Sequence, residues 1–321
     1  MSIRKRILII GGNSQIAQAL LERLDPSLYE FILTSRDQIE NPALGSLVKY
    51  VDLDNTKSFD ELKGETFDVC VFLAAITDTQ FCEQHRDVAH RINVDNTKLL
   101  IQFLFSENIV SRLIFLSTNQ VFNGERPYPD IDDVTQGFNV YGQAKAEVEN
   151  FLLTLSEDVA IVRLTKVIFE RDSFFEDRVL ELSEGKSVSV FNDMYLSPVN
   201  IELVVSCIKC LIDAKSLKQK LYQLSGEANS SYYEILCFIA HRLGLNSQLV
   251  YSESKHAKGI RSPDFASMAF NMGEFNMHEL NRGELNGYQA PSLEQACQYL
   301  VSSLKARLNT SDIAVKEQNY E

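Results

Sequence analysis

Apolar residues in the first half of the chain fall into short runs that stop at small or polar residues and give way to helical spacing. Ile7-Leu8-Ile9-Ile10 ends at Gly11-Gly12, after which Ile16, Leu20, Leu21 and Leu24 recur at helical intervals. The sequence of strand, tight turn and helix then repeats. Phe31-Ile32-Leu33 ends in Thr34-Ser35-Arg36, and Leu47 to Val51 ends in Asp52-Leu53-Asp54. Val69 to Ala74 is a fourth run, and Leu113 to Leu116 a fifth that stops at Ser117-Thr118. Asn55 or Thr56 is placed to cap a short helix carrying Phe59 and Leu62. Between the last two runs, Val88 to Glu107 reads as one long helix with Ile92, Leu99, Leu100, Phe103 and Leu104 on its apolar side. Strands apolar on both faces must be covered on both faces, so the pattern predicts an α/β, Rossmann-type doubly wound parallel sheet.

The second half continues the pattern more loosely. Ala160 to Leu164 adds a strand; helices are expected near Phe174–Glu184, Ile201–Ala214 and Tyr232–Leu243, and strands at Val188–Phe191 and Leu221–Leu224. Gly244 to Gln289 is rich in Asn, Gly and Ser with little period, Ser292 to Leu304 forms a last helix, and the polar tail from Asn309 to Glu321 is expected to be loose. This divides the chain into a nucleotide-binding domain over 1–165, to which 199–225 returns, and a smaller C-terminal substrate-binding domain over 166–198 and 226–305.

Open parallel sheets bind ligands at the carboxyl ends of their strands, so the loops after the five early strands converge on one crevice. Gly11, Gly12, Asn13, Ser14, Gln15 and Ile16 form a glycine turn entering a helix, which suits a pyrophosphate. Ser14 and Ala17 stand where a G-x-x-G-x-x-G pattern has its later glycines, and Ser14 adds bulk near the phosphate. Arg36 after the second strand meets a 2′-phosphate and favours NADP(H) over NAD(H), although Asp37 beside it has the opposite preference. Tyr141 and Lys145 lie four residues apart on one helix face, where the ammonium is expected to lower the pKa of the phenol. Tyr251 and Lys255 repeat the spacing in an apparent edge strand with no hydroxyl-bearing strand end before it, and are read as coincidence.

Charge and composition narrow the partners. The net charge of −13 over 321 residues offers no basic surplus for nucleic acid or an anionic membrane. Ile7–Ile10 is too short for a signal sequence and LVVSCIKCLI too short for a membrane span, so the cytoplasm is expected. Six scattered cysteines fit reduced thiols, Cys207 and Cys210 among them as core residues rather than half of a metal site. His85 and His90 read as a solvated loop and helix start, and Asp130, Asp132 and Asp133 as turn formers rather than metal ligands.

LAAITDTQFCEQHRDVAHRINVDNT, LSTNQVFNGERPYPDIDD, FNVYGQAKAEVE and VRLTKV together resemble an extended short-chain dehydrogenase/reductase, and within that group the dTDP-4-dehydrorhamnose reductase branch. The likeness covers the first two thirds of the chain; beyond it, RSPDFASM at Arg261–Met268 resembles a substrate-side element. It implies reduction of a 4-keto nucleoside-diphospho-sugar by NAD(P)H, with Tyr141 giving a proton to the carbonyl oxygen. Lys145 would hold the nicotinamide ribose and tune the phenol, and Thr118, helped by Ser117, would orient the carbonyl. Leu73, Ala74 and Ala75 would line the cofactor, Asp52 and Leu53 would flank its adenine, and a homodimer would form through the helices at Val88 and Tyr141. The chain departs from the family at Asn119-Gln120, where Asp-Tyr is usual, and in a loop to Tyr141 one residue shorter. Two alternatives stay in view: an epimerase or dehydratase with retained cofactor, and, kept open by Ser14 and Asn119, a regulatory subunit similar to the methionine adenosyltransferase beta subunit.

Overall fold

The computed structural model describes residues 4–37, 47–155, 157–273 and 289–318. Along the chain come β1 (Lys5–Ile10), α1 (Gln15–Arg23), β2 (Tyr29–Ser35), β3 (Leu47–Tyr50), a 3-10 turn (Thr56–Leu62) and β4 (Phe67–Phe72). Next are α2 (Thr79–Gln84), α3 (Arg86–His90), α4 (Thr97–Ser106), β5 (Val110–Thr118), α5 (Val140–Thr154) and β6 (Asp158–Leu164). The remainder is β7 (Val167–Ile168), α6 (Ser173–Ser183), β8 (Val188–Phe191), β9 (Tyr195–Leu196), β10 (Val199–Asn200), α7 (Ile201–Asp213), β11 (Leu221–Leu224), β12 (Ser230–Ser231), α8 (Tyr232–Arg242), β13 (Val250–Glu253) and α9 (Leu293–Gln318).

Seven strands form one sheet in the order β11-β6-β5-β4-β1-β2-β3, all parallel. The winding reverses between β1 and β4, which opens a crevice at their carboxyl ends. Side chains alternate across the sheet, so Ile7 and Ile9 face α1 and α7 while Leu8 and Ile10 face α4 and α5. Both faces are therefore core, which accounts for the uninterrupted apolar runs. A third core gathers α6, α8 and α9 around the β8–β13 pair through Phe175, Val179, Ile235, Ile239, Leu300 and Leu304. β10 pairs with β7, and β12 with β9. No helix of the described residues is long and apolar enough to cross a membrane.

Several local expectations change. The helix expected over Val88–Glu107 is interrupted by a π-helical stretch at Arg91–Asn96. Its cause is Asn93, whose buried amide donates to the Ile76 carbonyl (2.9 Å) and accepts from the Ile76 N–H (2.8 Å). The wide turn shifts the helical phase, and Leu99, expected inside, is 46% exposed. Asn55 makes no side-chain cap; Ser58 ties that turn by donating to the Asn55 carbonyl at 2.7 Å. Ser292 does cap, exchanging bonds with Gln295. α9 then runs beyond Asn309 to Gln318, where a loose tail is expected. Of the irregular stretch 244–289, residues 274–288 lie outside the described residues.

Candidate active site

A cleft of about 470 Å³ runs along the carboxyl ends of β1 to β4. Gly11, Asn13, Ser14, Arg36, Asp52, Leu53, Leu73, Ala74 and Ala75 all line it. Gly12, Gln15 and Ile16 do not: Gly12 N donates to the Thr34 carbonyl (2.8 Å), Gln15 reaches the Arg171 carbonyl (3.3 Å), and Ile16 packs on the core. Gly11 has φ +95°, and a Cβ there would lie 2.8 Å from Ala74 N, so only glycine permits the β1 turn to lie against the loop after β4. Ser14 has a local role as the N-cap of α1, accepting from Ala17 N at 3.1 Å. Thr34, Ser35, Ile76, Thr77, Asp78 and Ile92 also line it. The first two end an apolar run and were legible as a loop; Ile92 points into the cleft because of the π-helical stretch, which no sequence period announces.

Ser117 and Thr118 end β5, and α5 carries Tyr141 and Lys145; none of these four lines the cleft itself. Asn139 starts α5, its side-chain oxygen accepting from Gly142 N at 2.8 Å. Tyr141 packs against Cys82 and Ala89 and against Ala75 and Ile76 of the cleft wall. Lys145 Nζ donates to the Leu116 carbonyl at 2.7 Å and lies 4.1 Å from the centre of the Phe115 ring. Ser117 Oγ is buried without a hydrogen-bond partner among the described residues, a donor left over at the strand end. The glycine-floored cleft, with Tyr141 packed behind Ala75 and Ile76 of its wall, fits a nicotinamide dinucleotide.

The electrostatics differ from the expectation that the ammonium lowers the phenol. Burial dominates and pushes the Tyr141 hydroxyl well above its ordinary value, with Cys82 adding to the effect. Burial also pulls Lys145 down to about 7, while Glu149 one turn later holds it up. Burial is the first cause of both shifts, since each group loses the water that would solvate its charged form. Below pH 7 both folded and unfolded chains hold the Lys145 proton, and the full cost of the buried charge applies. Between about 7 and the ordinary lysine value the unfolded chain binds the extra proton, so stability rises with pH. The stability difference between wild type and Lys145→Met, followed by urea denaturation, is expected to move in favour of wild type by about 1.4 kcal/mol per pH unit at most across that window. A pH-independent difference would show that Lys145 is not depressed.

The crossing between β5 and α5 is held from the far side of the chain. Phe265 N donates to Gly124 O (3.0 Å) and Ala269 N to Pro129 O (3.0 Å), and Gln223 and Asn271 exchange backbone bonds across the edge of β11. Residues 261–271 thus form a strap over the loop, which puts the RSPDFASM element beside the candidate site. Lys255 explains its own burial here: its Nζ donates to the carbonyls of Ser262 and Pro263, both at 3.2 Å, while Tyr251 stands exposed on β13. That pair is scaffolding for the strap.

The remaining candidates are structural. Cys207 and Cys210 are buried in α7, and burial raises the Cys207 thiol. His90 is exposed between Asp95 (3.3 Å) and Glu147 (3.2 Å), and His85 lies tilted against the Phe81 ring. Asp133 accepts from Asp130 N at 2.6 Å and pairs with Arg126, and no cluster able to hold a metal occurs among the described residues.

A dTDP-4-dehydrorhamnose reductase of Aggregatibacter actinomycetemcomitans is 25% identical over 71% of this chain and 76% of its own length. Methionine adenosyltransferase 2 subunit beta of Bos taurus is 26% identical over 56% of this chain, which spans 55% of that relative. The crystal structure of dTDP-4-dehydrorhamnose reductase from Bacillus anthracis str. Ames in complex with NADP has the same fold, with a TM-score of 0.74, 23% identity and coverage of 95% of this chain and 98% of that one. Residues 5–282, most of the chain, match the RmlD substrate binding domain. The chain belongs to that family, on the RmlD-like branch of the extended short-chain dehydrogenase/reductases, a class of NAD(P)-dependent oxidoreductases.

Proposed function

We propose that the chain reduces a 4-keto nucleoside-diphospho-sugar with NADP(H). The observation that carries this reading is the glycine-floored cleft lined by Arg36, whose wall residues Ala75 and Ile76 pack against Tyr141, with Lys145 one turn further along α5. When bound, the nicotinamide supplies hydride to the carbonyl carbon. Lys145, with one donor on Leu116 O, has two left for the ribose hydroxyls and the phenol. Ser117, whose hydroxyl has no partner among the described residues, hydrogen-bonds the carbonyl oxygen, and Thr118 joins it by turning its proton away from the long 3.4 Å contact with Asn119 Oδ1. Tyr141, kept protonated by burial, passes its proton to that oxygen only as negative charge develops there. Leu99 and Leu153, 46% and 40% exposed on α4 and α5, support a homodimer through that face.

NADP(H) is favoured because Arg36 lines the adenine end of the cleft with its side chain 67% exposed and, among the described residues, paired with Asp37 at 3.3 Å. Loss of reduced-nicotinamide absorbance with dTDP- or UDP-linked 4-keto-sugars is the direct test. NADPH is expected to exceed NADH in kcat/KM by about 10-fold or more, and Arg36→Ala to erase that preference. Equal use of both cofactors by wild type would remove the assignment.

A second reading, an NADP-binding regulatory subunit, is favoured by the 26% identity to methionine adenosyltransferase 2 subunit beta. NADPH binding without turnover of any keto-sugar, together with NADP-dependent capture of a partner enzyme, would select it. Cofactor retained through purification with interconversion of sugar nucleotides and no net oxidation would select an epimerase or dehydratase.

A further inference from the structure

Asn119 and Gln120 follow directly on the strand end that carries Thr118 and reach from it to the strap and to the start of α5. Asn119 Nδ2 donates to the Ala266 carbonyl of the strap at 2.8 Å, and its Oδ1 accepts from the Thr118 hydroxyl at 3.4 Å. Gln120 N donates back to Thr118 Oγ1 at 3.2 Å. Gln120 Oε1 accepts from Asn139 Nδ2 at 2.6 Å. The polarity of this last bond is forced. Asn139 Oδ1 is already committed to Gly142 N as the N-cap of α5, so only its NH₂ group faces Gln120, and residue 120 must present an acceptor. Gly142 permits the approach, since a Cβ there would overlap the Gln120 carbonyl oxygen.

We propose that Asn119 and Gln120 are positioning residues: one neutral amide fastens Thr118 to the strap at Ala266, the other fastens it to the N-cap of the helix bearing Tyr141. The requirements of the two sites are opposite. Position 119 needs a donor toward Ala266 O, which aspartate at neutral pH cannot supply, and a carboxylate there faces a carbonyl and draws the Thr118 proton toward itself. Position 120 needs an acceptor, which glutamate supplies as well as glutamine. The pair therefore sets the relation of strap, hydroxyl and phenol without touching the reacting atoms, and it does so through a substrate-side segment where a carboxylate would break the contact.

This rests on the keto-sugar reading for its kinetics but not for its structural readout. Four proteins are compared: wild type, Asn119→Asp, Gln120→Leu and Gln120→Glu, each checked for thermal unfolding and for NADPH binding, which are expected to be unchanged. Backbone hydrogen exchange is expected to speed up roughly tenfold over 262–271 in Asn119→Asp, and over the first turn of α5 in Gln120→Leu, while Gln120→Glu exchanges like wild type. In turnover, Asn119→Asp is expected to raise KM for the keto-sugar roughly tenfold, and Gln120→Leu to lower kcat by a similar factor, with Gln120→Glu restored. Equal exchange in Asn119→Asp and wild type, or equal behaviour of the leucine and glutamate variants, overturns the proposal. Wild type that turns over no keto-sugar overturns the functional reading instead, and the exchange measurements then decide the ties alone.

Discussion

Tyr141→Phe is expected to lower kcat for keto-sugar reduction by about two to four orders of magnitude while leaving NADPH affinity and thermal stability near wild type. The ring is buried against Cys82, Ala89, Ala75 and Ile76, and phenylalanine fills the same space, so the packing of α5 on the cleft wall is conserved. What is removed is a single proton donor that burial keeps protonated at neutral pH. Thr118 and Ser117 would still orient the carbonyl, which is why residual turnover above the uncatalysed rate is expected. Single-turnover kinetics with bound NADPH separate chemistry from binding. A kcat within a few-fold of wild type would remove Tyr141 from the reaction and leave the proton to come from Thr118 or solvent.

The largest stability effect is expected at the buried pair of Arg163 on β6 and Glu149 on α5. Their side chains are 2% and 1% exposed and meet at 2.7 Å, with Arg163 Nε shared between both carboxylate oxygens at 3.1 Å. Glu149→Leu leaves a guanidinium uncompensated in the core and is expected to cost about 3–5 kcal/mol. The double replacement Glu149→Leu with Arg163→Met should cost less than the sum of the single changes, since no lone charge remains. It should not return to wild type. Arg163 also donates to Gln223 Oε1 (2.9 Å) and the Ile131 carbonyl (3.2 Å), and each acceptor left bare costs about 1–3 kcal/mol. Urea unfolding of the four proteins measures the cycle; additive losses would mean that the two charges act independently. Because Gln223 Nε2 in turn holds Pro129 O (3.1 Å) and Ala269 O (2.9 Å), the same variants are expected to loosen both the loop and the strap.

The strands of the seven-stranded sheet were legible because a strand covered on both faces needs no polar alternation, and such runs end where the chain must turn or bind; the two-residue strands β7, β9, β10 and β12 were not. β8 and β11 fall on the residues expected from those runs, and the loops after β1 to β4 converge as the parallel topology requires. What escaped was set by distant partners. Asn93 reads as an ordinary helical residue until Ile76 is beside it, and then its amide is worth more in that clamp than a regular turn is. Arg163 within an apolar strand gives no hint of Glu149 fourteen positions earlier. The behaviour of Lys145 was misjudged for the same reason: spacing shows that a charge is near a phenol, but only the packed fold shows how little water either one keeps.

The edge position of β11 bears on how the chain is made. Leu221 to Leu224 complete the sheet beside β6 only after some fifty-five intervening residues have been synthesised. A nascent chain that has emerged only as far as Leu164 displays the backbone donors and acceptors of Asp158–Leu164 along an apolar, unprotected edge, a template for pairing with another copy. A fragment ending there should be prone to association, whereas one reaching past Leu224 carries its own cover, and expression of the two would separate them by solubility.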